Sequence, residues 1–376
     1  MGTILDYLKQ YGDYTLAEKP FSEVDSLVLC QFSYLKFDEI VPTLGEDKPA
    51  VSLHELKKHA NYDTLYADER YRKDNTALFL GLLRSKRFKG MLISNYVNQI
   101  DFDTETQFSA MTFRLPNGIC YVAYRGTDET IVGWKEDLNL AFSEPVEGQR
   151  LSVEYLNRAA ESIKGSFYVG GHSKGGNLAI YACMNCDEKI RSRIIAIYDH
   201  DGPGFRPEVR VRSAYDEIAG RIHKTIPRSS LVGMLLYTDG AYQVVESKTI
   251  GLAQHNPYTW LIKNDHFQIV DEVYAGRKFL DESLNQWILS LTQEEMHTFV
   301  DTFYKIVLAS GTDNLIDFTA NWFQSIQKIG AALKEIDPQT AKVITQILKS
   351  LFEITSLNAK EKVKITKQTQ LSQNNE

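Results

Sequence analysis

The stretch Phe167-Tyr-Val-Gly-Gly-His-Ser-Lys-Gly-Gly-Asn-Leu-Ala-Ile-Tyr-Ala-Cys-Met184 decides how this chain folds. Phe167–Gly170 reads as a short buried strand and Asn177–Met184 as a helix. Between them, Gly171-His172-Ser173-Lys174-Gly175 puts a serine on the turn. A G-x-S-x-G pattern is weak alone. Strand, tight turn and helix around it make the context of a nucleophile elbow, which holds its serine on a strained turn at the edge of a sheet. Gly171 and Gly175 remove Cβ atoms where strand and helix cross, and the helix N-terminus stabilises negative charge beside Ser173. The competing reading is a glycine-rich turn whose serine merely caps the helix.

Working outward, the flanking sequence alternates strand and helix. Lys89–Ser94, Thr106–Arg114 and Ile119–Arg125 read as strands, the last two joined by the turn Pro116-Asn117-Gly118. Residues 150–164 carry apolar positions at helical spacing. Ile194–Tyr198, Ser230–Tyr237 and Tyr242–Glu246 are further strand candidates. This alternation predicts an α/β fold with a mostly parallel sheet flanked by helices. Residues 1–45 read as a helical lead-in closing at Pro42 and Gly45. After residue 280, apolar stripes at helical spacing and the capping box Thr292–Glu295 predict a C-terminal helical extension. The expected organisation is an α/β domain over 1–280, a helical region over 281–357 and a disordered polar tail over 358–376.

Composition narrows the class. With 43% hydrophobic and 24% charged residues the 376-residue chain is globular rather than disordered. Its net charge of −7 provides no basic footprint for a phosphate backbone, so nucleic acid is not expected as a partner. No apolar run reaches the length of a membrane span, and the N-terminus lacks a signal-peptide pattern, which together lead to the expectation of a cytoplasmic protein. Cys183 and Cys186 are close, but no second ligand pair accompanies them, so a metal site is not expected.

A serine hydroxyl needs a neutral imidazole to take its proton and a third group to orient that imidazole. In a chain of this order the base follows the last strands. That points to His255 in Gln254-His-Asn-Pro-Tyr-Thr-Trp260, ahead of His266 in Asn264-Asp-His-Phe267. His172 and His200 read as supporting or structural. For the acid, Asp201 and Asp199 in Asp199-His-Asp-Gly-Pro-Gly-Phe205 both lie just past a strand, and Asp239 lies past the next. Asp201 is preferred, with Asp199 and Asp239 as alternatives. The backbone N–H of Lys174, the residue after the serine, is one oxyanion donor. Thr127, at the end of Val122-Ala-Tyr-Arg-Gly-Thr127, is the candidate for the second.

Ala123-Tyr-Arg-Gly-Thr127 with Trp134-Lys-Glu-Asp137-Leu resembles the oxyanion segment of class 3 lipases, and Gly171–Ala179 resembles their elbow. Gly171–Ala179 combined with Asp201-Gly-Pro-Gly-Phe205 and Gln254-His-Asn-Pro257 more closely resembles the bacterial Mbeg-like family. The resemblance covers roughly residues 1–280. It implies an α/β-hydrolase fold and lipase or esterase chemistry through a Ser-His-Asp triad, without a cofactor, on a small-molecule or lipid ester. Class 3 lipases place the acid in an Asn-x-x-Asp-x-Val-Pro segment, where this chain has serines in Thr225–Gly233. A different class of function is a non-catalytic hydrolase-fold protein that binds a ligand, a partner or a membrane surface.

Overall fold

The structure, a computed structural model, describes residues 1–271 apart from 67–70, 102, 105, 128–135, 137–138, 141–144, 207–212, 231 and 237–239. Beyond 271 it describes only residues 285, 292, 295, 302, 338, 341, 342 and 345. A nine-stranded sheet runs in the order β1-β2-β3-β4-β5-β6-β7-β8-β11. Its members are β1 Val51–Ser52, β2 Leu92–Asp101, β3 Thr106–Arg114, β4 Cys120–Tyr124, β5 Phe167–His172, β6 Ile194–His200, β7 Ile222–Pro227, β8 Tyr242–Val245 and β11 Ile269–Val270. Neighbours from β1 to β4 pair antiparallel, those from β4 to β8 parallel, and β11 returns antiparallel to β8. A small hairpin, β9 Ile262–Lys263 and β10 His266–Phe267, stands apart from this sheet.

Strand β4 shows why such a sheet needs cover on both faces. All five of its residues are buried, and they sort by parity. Tyr121 and Ala123 point into one core, while Cys120, Val122 and Tyr124 point into the other. The first core is closed by helices α1 Ile4–Tyr11, α2 Glu23–Phe32, α3 Leu53–Lys58 and α4 Arg72–Arg84. The expected lead-in is thus one face of the domain. The second core is closed by α5 Glu147–Ser162 and α6 Lys174–Asn185. This is the α/β-hydrolase fold, with the serine motif at the C-terminal end of β5.

One sequence expectation is corrected. Among the described residues of 230–237 there is no strand: Val232–Met234 forms a 3₁₀ turn, because the Gly233 N–H is used by Ser230 Oγ at 2.8 Å and by Asp201 Oδ1 at 3.2 Å. The strand in that part of the sheet is β7, whose Lys224 and His223 interrupt the apolar pattern. Most of region 281–357, the tail 358–376 and Asp239 lie outside the described residues. The capping box is present locally, with Thr292 N and Oγ1 on Glu295 Oε2 at 2.9 and 2.8 Å. Among the described residues no helix is long and apolar enough to cross a membrane.

Candidate active site

Ser173 sits between β5 and α6 with φ 59° and ψ −135°, a conformation that L side chains rarely adopt. The strain is held by its surroundings. Ser173 N donates to His200 O at 2.9 Å, and a Cβ at Gly171 would overlap the backbone of Gly175. The elbow therefore closes only with glycine at that crossing.

From this turn the hydroxyl reaches His255. Ser173 Oγ lies 2.9 Å from His255 Nε2, and His255 Nδ1 lies 2.6 Å from Asp201 Oδ2. An ionised carboxylate can only accept, so Nδ1 carries the proton and Nε2 is free to accept from the serine. Asp201 is fully buried, whereas the His255 side chain keeps 20% of its surface accessible. The other carboxylate oxygen of Asp201 accepts from Ser230 Oγ and from Gly233 N. Asp201 itself has φ 59°, at the point where the chain leaves β6, and its N–H donates to Thr225 O at 2.8 Å.

His255 is held by its own loop, the 3₁₀ segment Gly251–His255. Gln254 is buried, accepting from Ser229 N at 2.7 Å and donating to Thr249 O at 2.8 Å, while Trp260 Nε1 donates to Gln254 O at 2.7 Å. His172 holds the loop from the other side. Its Nε2–H donates to the His255 carbonyl at 2.9 Å, which leaves Nδ1 to accept from the Tyr34 hydroxyl at 3.1 Å. Burial keeps the His172 pKa well below that of free imidazole, and the neighbouring His255 ring adds to the effect.

The remaining candidates are placed elsewhere. Asp199 is bound to Lys224 Nζ at 2.6 Å and to Gly202 N at 2.8 Å, not to His255. Burial raises its pKa, with the Lys224 ammonium pulling the other way. His200 lies in an aromatic box with Trp260 and Phe267, its Nε2 2.9 Å from Ser26 Oγ, and burial lowers its pKa to about 3. His266 is exposed on β10 and paired with Glu23 at 2.9 Å. For the oxyanion candidates, Lys174 N opens α6, and the Thr127 segment approaches the serine through Gly126. A Cβ at Gly126 would stand 3.1 Å from Ser173 Cβ and would overlap the His172 carbonyl and the Tyr34 hydroxyl.

Three contacting residues carry no distinct signal in the sequence. Ser230 is one serine of the Thr225–Gly233 stretch, Glu136, which accepts from Lys174 Nζ at 2.6 Å, lies inside the Trp134–Leu138 segment, and Tyr34 gives no signal. All four cysteines are buried free thiols.

A family model described as Mbeg1-like matches residues 82–305, more than half of the chain. Among solved structures, the chain is similar to a fungal lipase in complex with an inhibitor, reported as a model for interfacial activation in lipases. That likeness has 18% identity, covers 54% of this chain and 82% of that one, and has a TM-score of 0.34. It is also similar to M37 lipase, at 14% identity over 57% of this chain and 69% of that one, with a TM-score of 0.35. No curated protein matches.

Proposed function

The chain belongs to the Mbeg1-like family, and from that premise we propose that it is a serine hydrolase cleaving a carboxylic ester through Ser173, His255 and Asp201. The observation that carries the reading is the continuous line from Ser173 Oγ to His255 at 2.9 Å and on to Asp201 at 2.6 Å, with the serine on a strained turn.

In this reading the Ser173 oxygen attacks the ester carbonyl while its proton passes to His255 Nε2. Asp201 holds the imidazole with its proton on Nδ1 and stabilises the imidazolium that forms. The oxygen that becomes negative is held by the N–H groups of Lys174 and Thr127. His255 then gives its proton to the leaving alcohol, which leaves an acyl group on Ser173. Water, deprotonated by the same imidazole, releases the acid and restores the serine. The acyl donor is a small-molecule or lipid ester.

Incubation with a fluorophosphonate probe tests the reading. The folded wild type should label and Ser173→Ala should not. Absence of labelling, or equal labelling of both, would sink the proposal and favour a binding role for the same fold.

A further inference from the structure

The lysine after the nucleophile is built into the protein in a way that hydrolysis by the triad does not require. Lys174 is 1% exposed although it carries an ammonium group. Its Nζ donates to Glu136 Oε2 at 2.6 Å, to Gln107 O at 2.8 Å and to Gln107 Oε1 at 3.1 Å, which uses all three of its N–H groups. Glu136 is equally buried. Its Oε2 also accepts from Gln107 N at 3.1 Å, and its Oε1 from Gly148 N at 3.0 Å. A buried pair of this kind adds little net stability over apolar residues of the same volume, while its hydrogen bonds tie Lys174 to Gln107 and Gly148.

The geometry it fixes is that of the two oxyanion donors. One donor is the Lys174 backbone at the start of α6. The other, Thr127, leaves the sheet two residues after Arg125, whose N–H donates to Ser109 O on β3 at 2.9 Å. Ser109 lies two residues beyond Gln107, the residue to which the Lys174 ammonium is bonded. Glu136, nine residues past Thr127 in the same connection between β4 and α5, closes the loop of contacts onto Gly148 at the start of α5. Strand β3, the connection carrying Thr127 and the helix carrying Lys174 N–H thus meet at one ion pair.

We infer that the buried Lys174–Glu136 pair is a positioning device that sets the spacing of the two oxyanion donors, Lys174 N–H and Thr127 N–H, relative to Ser173. The inference rests on the serine-hydrolase reading. Lys174→Met keeps the backbone donor and removes only the ammonium; Glu136→Gln removes the charge to which it is bonded.

The test begins with fluorophosphonate labelling of the wild type. Without Ser173-dependent labelling, the hydrolase reading itself fails and this inference falls with it. With labelling, both variants are assayed on a p-nitrophenyl ester and titrated with an alkyl trifluoromethyl ketone, whose adduct with the serine puts an oxyanion between the donors. The expected result is a fall in kcat of about 100-fold with KM changed by less than about threefold, and an inhibitor affinity that falls in parallel with kcat/KM. Folded variants whose kcat stays within about twofold of wild type, or whose inhibitor affinity is unchanged while kcat falls, would overturn it. Should the single variants not fold, Lys174→Met/Glu136→Leu replaces the pair by apolar volume. The same loss in kcat is expected there, and failure of that chain to fold would assign the pair to stability alone and overturn the proposal.

Discussion

The imidazole rings of His172 and His255 lie 4.7 Å apart between centroids, tilted by 33°, and the first donates its Nε2–H to the main-chain carbonyl of the second. In the proposed cycle His255 becomes an imidazolium. A second positive charge at His172 would oppose that step, so the neutral state enforced by burial is the working state.

Replacing His172 by Phe keeps the ring packing but strips the His255 carbonyl of its donor. Leaving a part-buried acceptor unsatisfied costs up to about 1–3 kcal/mol, and the loop carrying His255 loses one of its fixed points. The expected outcome is a fall in kcat of about tenfold or more with little change in KM. Steady-state kinetics on a p-nitrophenyl ester, beside a urea unfolding curve, checks both parts.

Asp201 and Asp199 separate by experiment. Asp201→Asn presents an amide to His255 Nδ1 and favours the wrong tautomer, so kcat should drop by about 10⁴ while the fold survives. Asp199→Asn instead leaves the Lys224 ammonium buried without its counter-charge, at a cost of about 3–5 kcal/mol in stability. Thermal midpoints and kcat measured for the two variants check the assignment, and the reverse pattern would exchange the two roles.

How much of this was legible in the sequence varied with the kind of signal. The elbow could be read because its glycines, strand and helix are contiguous, and Asp201 and His255 because each follows a strand. Strand β7 could not. Its Lys224 stands directly opposite Asp199 across the sheet, and a buried charge reads as a surface residue until its partner is known. The apolar run Ser230–Tyr237 misled for the converse reason: Gly233 serves the carboxylate of Asp201, just beyond β6. Tyr34 reaches His172 across 138 positions of chain, and no local pattern encodes such a contact.

Acid should destabilise the protein through His200. Its folded pKa is lowered to about 3 by burial, while in the unfolded chain it has the ordinary histidine value of 6.5. Between these two values the unfolded chain holds the extra proton, so stability is complete above 6.5 and lost as pH falls toward 3. One such group weakens the folding equilibrium by about tenfold per pH unit in that window. Urea unfolding at a series of pH values should show this, with a shallower slope for His200→Phe.

Gly126 admits no side chain. A methyl group there would overlap the Tyr34 hydroxyl and the His172 carbonyl, so Gly126→Ala should destabilise the fold by about 1–3 kcal/mol. Adding Tyr34→Phe removes one of the two obstacles. The double variant should be more stable than the sum of the single effects predicts, a coupling that a double-mutant cycle measures directly.

Asp201 arrives from β6 and its supporting hydroxyl, Ser230, from just beyond β7, while the Asp201 N–H is pinned to Thr225 on β7. The distance between acid and support is therefore measured by the pairing of two adjacent strands, as a vernier is read against its scale, and not by the length of chain that joins them. Lengthening the crossover between those strands would cost only a slowly growing closure entropy, whereas sliding one strand by a residue would turn its side chains to the opposite face. The contact between Asp201 and Ser230 is accordingly tolerant of insertions along the chain and intolerant of slippage across the sheet.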